Sequence, residues 1–221
     1  MFLRPIHRLI LALLFAAAAL PGLAQDAPAA IQTGPRLFVG AGASAYHDDY
    51  SGQPTSNVSG KGHMEGGTVW LDFYPDRGPA ILHGLALEIE GRDISIGPGP
   101  TQPNNLREDT GGGGVIYSWR HFPKIVPYGK FMWEHASIDF HSAVLHYNHD
   151  TRSLHEGGGG ADFYLSHNVW LRAGFEEQVW QRLFETHANP TTTGIGMKPR
   201  GVTIGVSYSF IHHRHLHTSP N

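Results

Sequence analysis

Hydrophobic and polar residues alternate along eight segments of this chain, with the two-residue period of a β-strand. The last segment, GVTIGVSYSF, is the clearest: Val202, Ile204 and Val206 fall on one face, and glycine or small polar residues fall on the other. The pattern predicts strands at 36–46, 64–74, 83–96, 111–122, 126–138, 154–166, 168–181 and 199–210. Their lengths match or slightly exceed the ~9–11 residues that a tilted strand needs to cross a bilayer.

The connections between the predicted strands alternate in length. The long ones are rich in Gly, Pro, Asn, Asp and His and cover 47–63, 97–110, 139–153 and 182–198. The short ones are 75–82, 123–125 and the single residue 167. In an up-and-down barrel this alternation puts the long loops at one end, and the short turns with both termini at the other. Transmembrane barrels of outer membranes have this asymmetry.

Charged residues collect on one face of the predicted strands. In the third strand, for example, Glu88 and Glu90 lie opposite Leu87 and Ile89. The full set is Asp72, Glu88, Glu90, Arg92, Arg120, Lys130, Glu134, Asp162, Arg172 and Glu176. In a soluble barrel or sandwich these charges would face water. In a transmembrane barrel they would line the lumen, with the apolar residues against lipid. Alternation alone does not separate the two arrangements.

Aromatic residues favour the transmembrane arrangement. Those near the short-turn ends of their strands are Phe73, Tyr74, Phe122, Tyr128, Tyr164, Trp170, Tyr208 and Phe210. A girdle of aromatic rings at one level is typical of the lipid–water boundary. The sequence therefore predicts an all-β fold, an eight-stranded antiparallel up-and-down transmembrane β-barrel. A soluble periplasmic β-barrel that binds a small ligand is the alternative.

The N-terminus predicts export. Arg4 and Arg8 precede the apolar run LILALLFAAAAL, and small residues follow it before Gln25, which is the pattern of a secretory signal peptide. We assign 1–24 to a signal peptide, 25–35 to a flexible leader, 36–210 to the barrel and 211–221 to a His-rich periplasmic tail. The chain has no Cys and a formal net charge of −3, so we expect neither disulfides nor a nucleic-acid partner.

Three stretches resemble the small eight-stranded outer-membrane barrels of the OmpA and opacity-protein type. LFVGAGASAY resembles their Gly-rich first strand, and GGGGADFYLSHNVWLRAGFEEQVW resembles their penultimate hairpin. VTIGVSYSF resembles their C-terminal strand, although eleven residues follow Phe210 here, whereas the final Phe is the last residue in many members. The likeness covers roughly residues 36–210, nearly the whole of the predicted mature chain.

The resemblance implies a monomer in the lipid of the outer membrane of a Gram-negative-type envelope. It also implies that the barrel assembly machinery recognises Val206, Tyr208 and Phe210. Because the family includes structural anchors and adhesins, we expect a non-enzymatic role: envelope integrity, or interaction with a surface ligand through four long extracellular loops.

The predicted lumen has little room for anything but side chains. An eight-stranded barrel is just wide enough for its side chains to fill, and here it would hold ten charged residues and Gln178. Unpaired buried charges are costly, so we expect an ion-pair network and little or no conductance. A gated pore is the alternative.

An enzymatic alternative rests on a short motif. Some eight-stranded outer-membrane barrels are lipid A deacylases that use a Ser, a His two residues away and a Glu. His135 and Ser137 have this spacing, and Glu156 is the candidate third member. His135 and Ser137 continue the apolar face of their strand, and such a pair arises easily by chance in a chain with 16 histidines. We therefore keep a lipid-modifying hydrolase as the alternative to a non-enzymatic barrel.

The histidines are the remaining unusual feature. One group lies in and beside the third long loop, and the other is His212, His213, His215 and His217 in the tail. Imidazole binds Zn, Cu and Ni well, but the two groups fall at opposite ends of the predicted barrel and cannot form one site. We predict no cofactor and no dedicated metal site, with the tail histidines as candidate weak ligands.

Overall fold

The computed structural model describes residues 36–49, 61–75, 82–96, 106–120, 124–140, 148–166, 168–180 and 198–211. The strands are β1 Arg36–Asp49, β2 Lys61–Tyr74, β3 Leu85–Ile96, β4 Leu106–Ser118, β5 Ile125–Phe140, β6 Asn148–Ser166, β7 Val169–Trp180 and β8 Arg200–Ile211. Within these residues no helix has the length and apolar character to cross a membrane. The predicted signal peptide and leader, and the tail beyond Ile211, lie outside the described residues.

The eight strands form one closed antiparallel barrel in which each strand pairs with its neighbours in sequence. Pairing of β1 with β8 closes it, so that Gly42 lies opposite Thr68 on one side and Gly205 on the other. The ladder shifts register once between β6 and β7, between Tyr164 and Ser166. The predicted fold class is therefore confirmed.

Several strands extend further toward the long-loop end than the sequence predicts. β4 begins at Leu106 instead of 111, and β6 begins at Asn148 instead of 154. Apart from Leu106, these added segments carry polar or charged residues on both faces, so they lack the alternation that marks a strand. Pairing with their neighbours makes them part of the wall. The predicted alternation of loop lengths is wrong at one place, since the connection at 75–84 is longer than that at 141–147.

The inward side chains form three layers along the barrel. An apolar cluster toward the long-loop end contains Tyr46, Met64, Ile94, Leu106, Ala136, Ile138, Leu154 and Trp180. A second apolar cluster toward the short-turn end contains Phe38, Tyr74, Ala86, Ile116 and Tyr128, with Trp170 packed against it. Charged side chains lie between the two clusters: on β3, for example, Glu88, Glu90 and Arg92 separate Ala86 from Ile94. We call them the charged layer.

The outward side chains are mostly apolar and exposed. Val69, Leu87 and Ile89 are about 60% exposed, and large apolar residues at outward positions of every strand are exposed with them. The same strands bury ionic groups inside. In water this arrangement would be the reverse of what the hydrophobic effect favours, whereas lipid around the barrel makes it favourable. The soluble alternative is therefore wrong.

The predicted aromatic girdle lies only partly on this outer face. Phe73, Tyr208 and Phe210 are exposed there. Tyr164 pairs with Trp170 on the inward face, and its partly exposed ring lies edge to face with the Trp170 ring at the end of the barrel. Tyr74 and Tyr128 instead point into the barrel, and Trp170 is half-buried against Phe38, while Phe122 lies outside the described residues. These aromatic residues lie at similar levels along their strands, but strand alternation divides them between the two faces and places Tyr74 on the same inward face as Asp72.

Candidate functional site

Arg92 is at the centre of the charged layer. Its Nη1 donates to Glu156 Oε2 at 2.7 Å, and its Nη2 donates to Glu176 Oε2 at 3.1 Å and to Glu90. The guanidinium group also lies over the Tyr46 ring, 4.6 Å from its centroid. All of these side chains are buried. The alternation of β3 aims Arg92 inward, and barrel closure brings Glu156 and Glu176 from β6 and β7 to meet it.

Lys130 of β5 is the second cation of the same group. Its Nζ lies 2.5 Å from Glu90 Oε2, 2.8 Å from Glu176 Oε1 and 3.1 Å from Glu156 Oε1. A weaker contact, at 3.4 Å, reaches Glu88 Oε1. Arg92 and Lys130 thus share three carboxylates, and neither cation is the sole partner of any of the three.

Arg172 of β7 organises a neighbouring group closer to the short-turn end. Its Nη2 donates to Asp72 Oδ2 at 2.5 Å, its Nη1 to Glu88 Oε2 at 3.0 Å, and its Nε to Asp162 Oδ1 at 2.9 Å. Because Glu88 contacts both Arg172 and Lys130, it joins the two groups into one network.

Aromatic rings cover the cations on the short-turn side. The Arg172 guanidinium carbon lies 4.9 Å from the ring centroids of both Trp70 and Tyr128. That of Arg120 lies 4.1 Å from the Tyr74 ring. Cation–π contacts stabilise a desolvated guanidinium group by about 2 kcal/mol or more. The rings also separate the charged layer from this end of the barrel.

All ten residues that the sequence assigned to the lumenal network occupy inward positions. Nine are buried, and Arg120 is half-buried. Two further acids, Glu108 and Glu156, are buried in the interior, and the sequence analysis assigned neither of them to the lumenal network. Continuing the alternation of β4 backward from Gly112, and that of β6 backward from Asp162, would have found both.

The hydrolase motif is not assembled. His135 and Ser137 lie on the outer face of β5, whereas Glu156 is buried inside the barrel. His135 Nδ1 is 3.3 Å from Ser153 Oγ. The physical reason is the strand period: His135 and Ser137 are at outward positions of β5, and Glu156 is at an inward position of β6.

A different polar group lies on the outer face toward the long-loop end. His149 Nδ1 is 2.7 Å from Asp139 Oδ1, and its Nε2 is 3.2 Å from Thr151 Oγ1. Ser137 Oγ lies 3.5 Å from the same Nδ1. We call His149, Asp139 and Thr151 the rim triad. Sequence reasoning could not find it, because it depends on the register that places Asp139 opposite His149.

The residues of the predicted assembly signal lie on the outer face of β8. Tyr208 and Phe210 are exposed, and their rings pack edge to face at 4.8 Å between centroids. Val206 lies two residues earlier on the same face and is partly exposed. The candidate ligands His212, His213, His215 and His217 lie outside the described residues.

Comparison with known proteins identifies the family of this barrel. The family model for the outer membrane protein beta-barrel domain matches residues 10–210. The chain belongs to this family. No curated protein matches the chain in sequence. The predicted family resemblance is confirmed.

Solved structures of other outer-membrane barrels have the same fold. Neisserial surface protein A matches with a TM-score of 0.58 at 13% identity, over 79% of this chain and 97% of that one. The attachment invasion locus protein Ail of Yersinia pestis matches with a TM-score of 0.53 at 14% identity, over 81% of this chain and 100% of that one. At such identities the likeness shows the fold alone. The protein is an outer-membrane β-barrel of a Gram-negative-type envelope.

Proposed function

We propose that this protein is a non-enzymatic barrel that supports envelope integrity or binds a surface ligand at its long-loop end, and that it conducts ions weakly or not at all. The observation that carries this proposal is the filled interior. Two apolar clusters flank an ion-paired layer, and Tyr46, Met64, Ile116 and Leu154 in these clusters are completely buried. An ion crossing the barrel would have to displace packed apolar side chains and paired charges.

Planar-bilayer recording tests the conductance. We expect the purified protein to give no stepwise current above that of the lipid alone. As an opened control, Trp180→Ala and Tyr128→Ala together remove one large ring from each apolar cluster, and this variant should leak more than the wild type. The outward variant Trp133→Ala is the matched control for loss of a ring, and it should stay closed. Regular single-channel steps from the wild type would contradict the proposal.

The proposed partners follow from two surfaces of the barrel, the apolar outer face and the loops at the long-loop end. Outer-membrane lipid would surround the apolar outer face, and the barrel assembly machinery would recognise Val206, Tyr208 and Phe210 during biogenesis.

We further propose that the barrel acts as a monomer without a nucleic-acid partner. A surface ligand would bind the loops after β1, β3, β5 and β7. As a first probe we choose a sulfated glycan, because Ail has been crystallised with the heparin analogue sucrose octasulfate.

Cells that display the barrel would be tested for retention on heparin-coated beads. Retention that falls when the four loops are replaced by short Gly-Ser turns supports a loop ligand of this class. The shortened barrel must still show the heat-dependent gel shift of a folded barrel. Equal retention with and without the loops, or no retention at all, would contradict binding of this class of ligand through the loops.

The rim triad favours a second candidate function, ester hydrolysis at the lipid boundary. Thr151 Oγ1 and Asp139 Oδ1 contact the two different nitrogens of His149. In a nucleophile–His–acid arrangement, His149 would accept the Thr151 proton while Asp139 orients the ring. The test is release of fatty acid from lipopolysaccharide in vesicles. Release that is lost in both Thr151→Val and His149→Asn, and kept in Ser137→Ala, supports hydrolysis. No release from the wild type overturns it.

A further inference from the structure

Three carboxylates converge inside the charged layer. Glu90 of β3, Glu134 of β5 and Glu156 of β6 each offer an oxygen, and these oxygens all lie within 4.8 Å of one another. All three side chains are buried. Carboxylates brought this close repel one another strongly in a medium of low dielectric constant, unless positive charge lies between them.

Glu134 differs from the other two in its contacts. Glu90 and Glu156 are both held by Arg92 and Lys130. Glu134 is fully buried, and neither of its carboxylate oxygens has a hydrogen-bond partner among the described residues. A buried ionised carboxylate without a partner is among the most costly groups in a folded protein.

The backbone of the neighbouring strand holds Glu134 closely. Gly112 of β4 lies directly opposite it. A Cβ on Gly112 would come within 2.8 Å of Glu134 Cγ and within 2.6 Å of its Cα, so there is no room for a methyl group between Gly112 and Glu134. Glu134 is therefore packed closely on the β4 side, and its carboxylate group lies beside those of Glu90 and Glu156.

The charges of this part of the layer do not balance. Five carboxylates, Glu88, Glu90, Glu134, Glu156 and Glu176, surround two cations, Arg92 and Lys130. Arg172 is already shared among Glu88, Asp72 and Asp162. Additional positive charge is needed, and a bound cation placed among Glu90, Glu134 and Glu156 would meet the group that lacks a partner.

We propose that Glu90, Glu134 and Glu156 bind a divalent cation of the size of Ca²⁺ inside the barrel. Hard divalent cations take carboxylate oxygens, and Ca–O distances of about 2.3–2.6 Å let oxygens almost 5 Å apart share one ion. Mg–O distances of about 2.0–2.1 Å require a tighter set. The ion joins β3, β5 and β6 and balances charge that Arg92 and Lys130 leave over.

The site is closed by the apolar clusters, so the experiment supplies the ion during folding. The protein is refolded in detergent with Ca²⁺ present, passed over a desalting column, and analysed for retained calcium by mass spectrometry. We expect about one Ca²⁺ per folded chain. Glu134→Gln keeps the shape of the side chain and removes its charge, and it should lower retained calcium at least tenfold. Refolding with Mg²⁺ in place of Ca²⁺ should give at least tenfold lower retention of metal.

The matched control is Glu108→Gln, which changes another buried glutamate of the interior outside the three-carboxylate group. This variant should retain calcium as the wild type does. All variants must show the heat-dependent gel shift of a folded barrel. A folded wild type that retains no calcium would overturn the proposal. That outcome would mean that a proton, and not a metal ion, neutralises Glu134. Equal retention by Glu134→Gln, or equal loss in both variants, would also overturn it.

Discussion

Each strand contributes side chains to both faces of the barrel wall, and the two faces have different surroundings, lipid outside and the packed side chains of the interior inside. On β3, Ile89 is exposed on the outside, and its neighbour Glu90 is buried inside among Arg92 and Lys130. An outward residue in the middle part of a strand meets lipid, so its contribution depends on its own depth and polarity. An inward charge depends on partners from other strands. The comparison predicts that substitutions inside are costly and coupled to one another, whereas those outside are independent.

The largest expected effect comes from removing the central cation. Arg92→Met keeps much of the volume but leaves Glu90, Glu156 and Glu176 with one cation fewer. Breaking a buried ion pair by deleting one partner costs about 3–5 kcal/mol, so the free energy of unfolding should fall by that amount. Urea unfolding in lipid vesicles, followed by tryptophan fluorescence, measures it.

The control is the same substitution at an exposed arginine. Arg107 pairs with Asp93 and Asp109 on the outer face near the long-loop end, and these three side chains are partly exposed. Arg107→Met should cost no more than about 1 kcal/mol, as exposed ion pairs usually do. If Arg92→Met proved as mild as Arg107→Met, the interior would not depend on mutual pairing.

The sequence predicted which residues face inward but not which of them meet. Alternation on β3 is local, so Glu88, Glu90 and Arg92 could be placed on one face from their spacing alone. The pairing of Arg92 with Glu156 depends on barrel closure and on the register of strands that are distant in sequence. No local pattern contains this information. The same holds for the contact between Asp139 and His149.

Prediction from sequence was poorest where polarity ceased to alternate. The first residues of β4, LREDT, carry charge on both faces, so their pattern predicts a loop and does not indicate that Glu108 faces inward. The assignment of Tyr74 and Tyr128 to the girdle was wrong for another reason. An aromatic ring at the end of a strand can either contact the lipid boundary or close the barrel. Which of the two it does depends on whether its residue occupies an outward or an inward position of the strand.

The second prediction places a charge on the outer face. Ile89 is in the middle part of β3 and exposed toward lipid. Ile89→Arg should lower the free energy of unfolding by about 2–4 kcal/mol, the cost of an arginine near the bilayer midplane. Ser95→Arg on the same face near the long-loop end is the control, and about 0–1 kcal/mol is expected there. Equal costs at both positions would show that the lipid belt does not centre on Ile89.

The smallest of the three effects tests packing without charge. Gly201 of β8 faces inward, and a Cβ there would clash with the Tyr46 ring, whereas a Cβ on outward Gly157 of β6 would meet nothing within 4 Å. Overpacking costs about 1–3 kcal/mol, so Gly201→Ala should destabilise the barrel by that amount, and Gly157→Ala should leave stability nearly unchanged. Both changes add one methyl group to a strand, so strand propensity cancels between them. The measurement is again urea unfolding in vesicles.

Tyr46 donates a hydrogen bond to Glu176, so displacing its ring should also weaken the charged layer. Combining Gly201→Ala with Arg92→Met should therefore cost less than the sum of the two. Strictly additive costs would show that this packing contact and the ion pairs are independent, and that the coupling expected of the interior does not reach its apolar clusters.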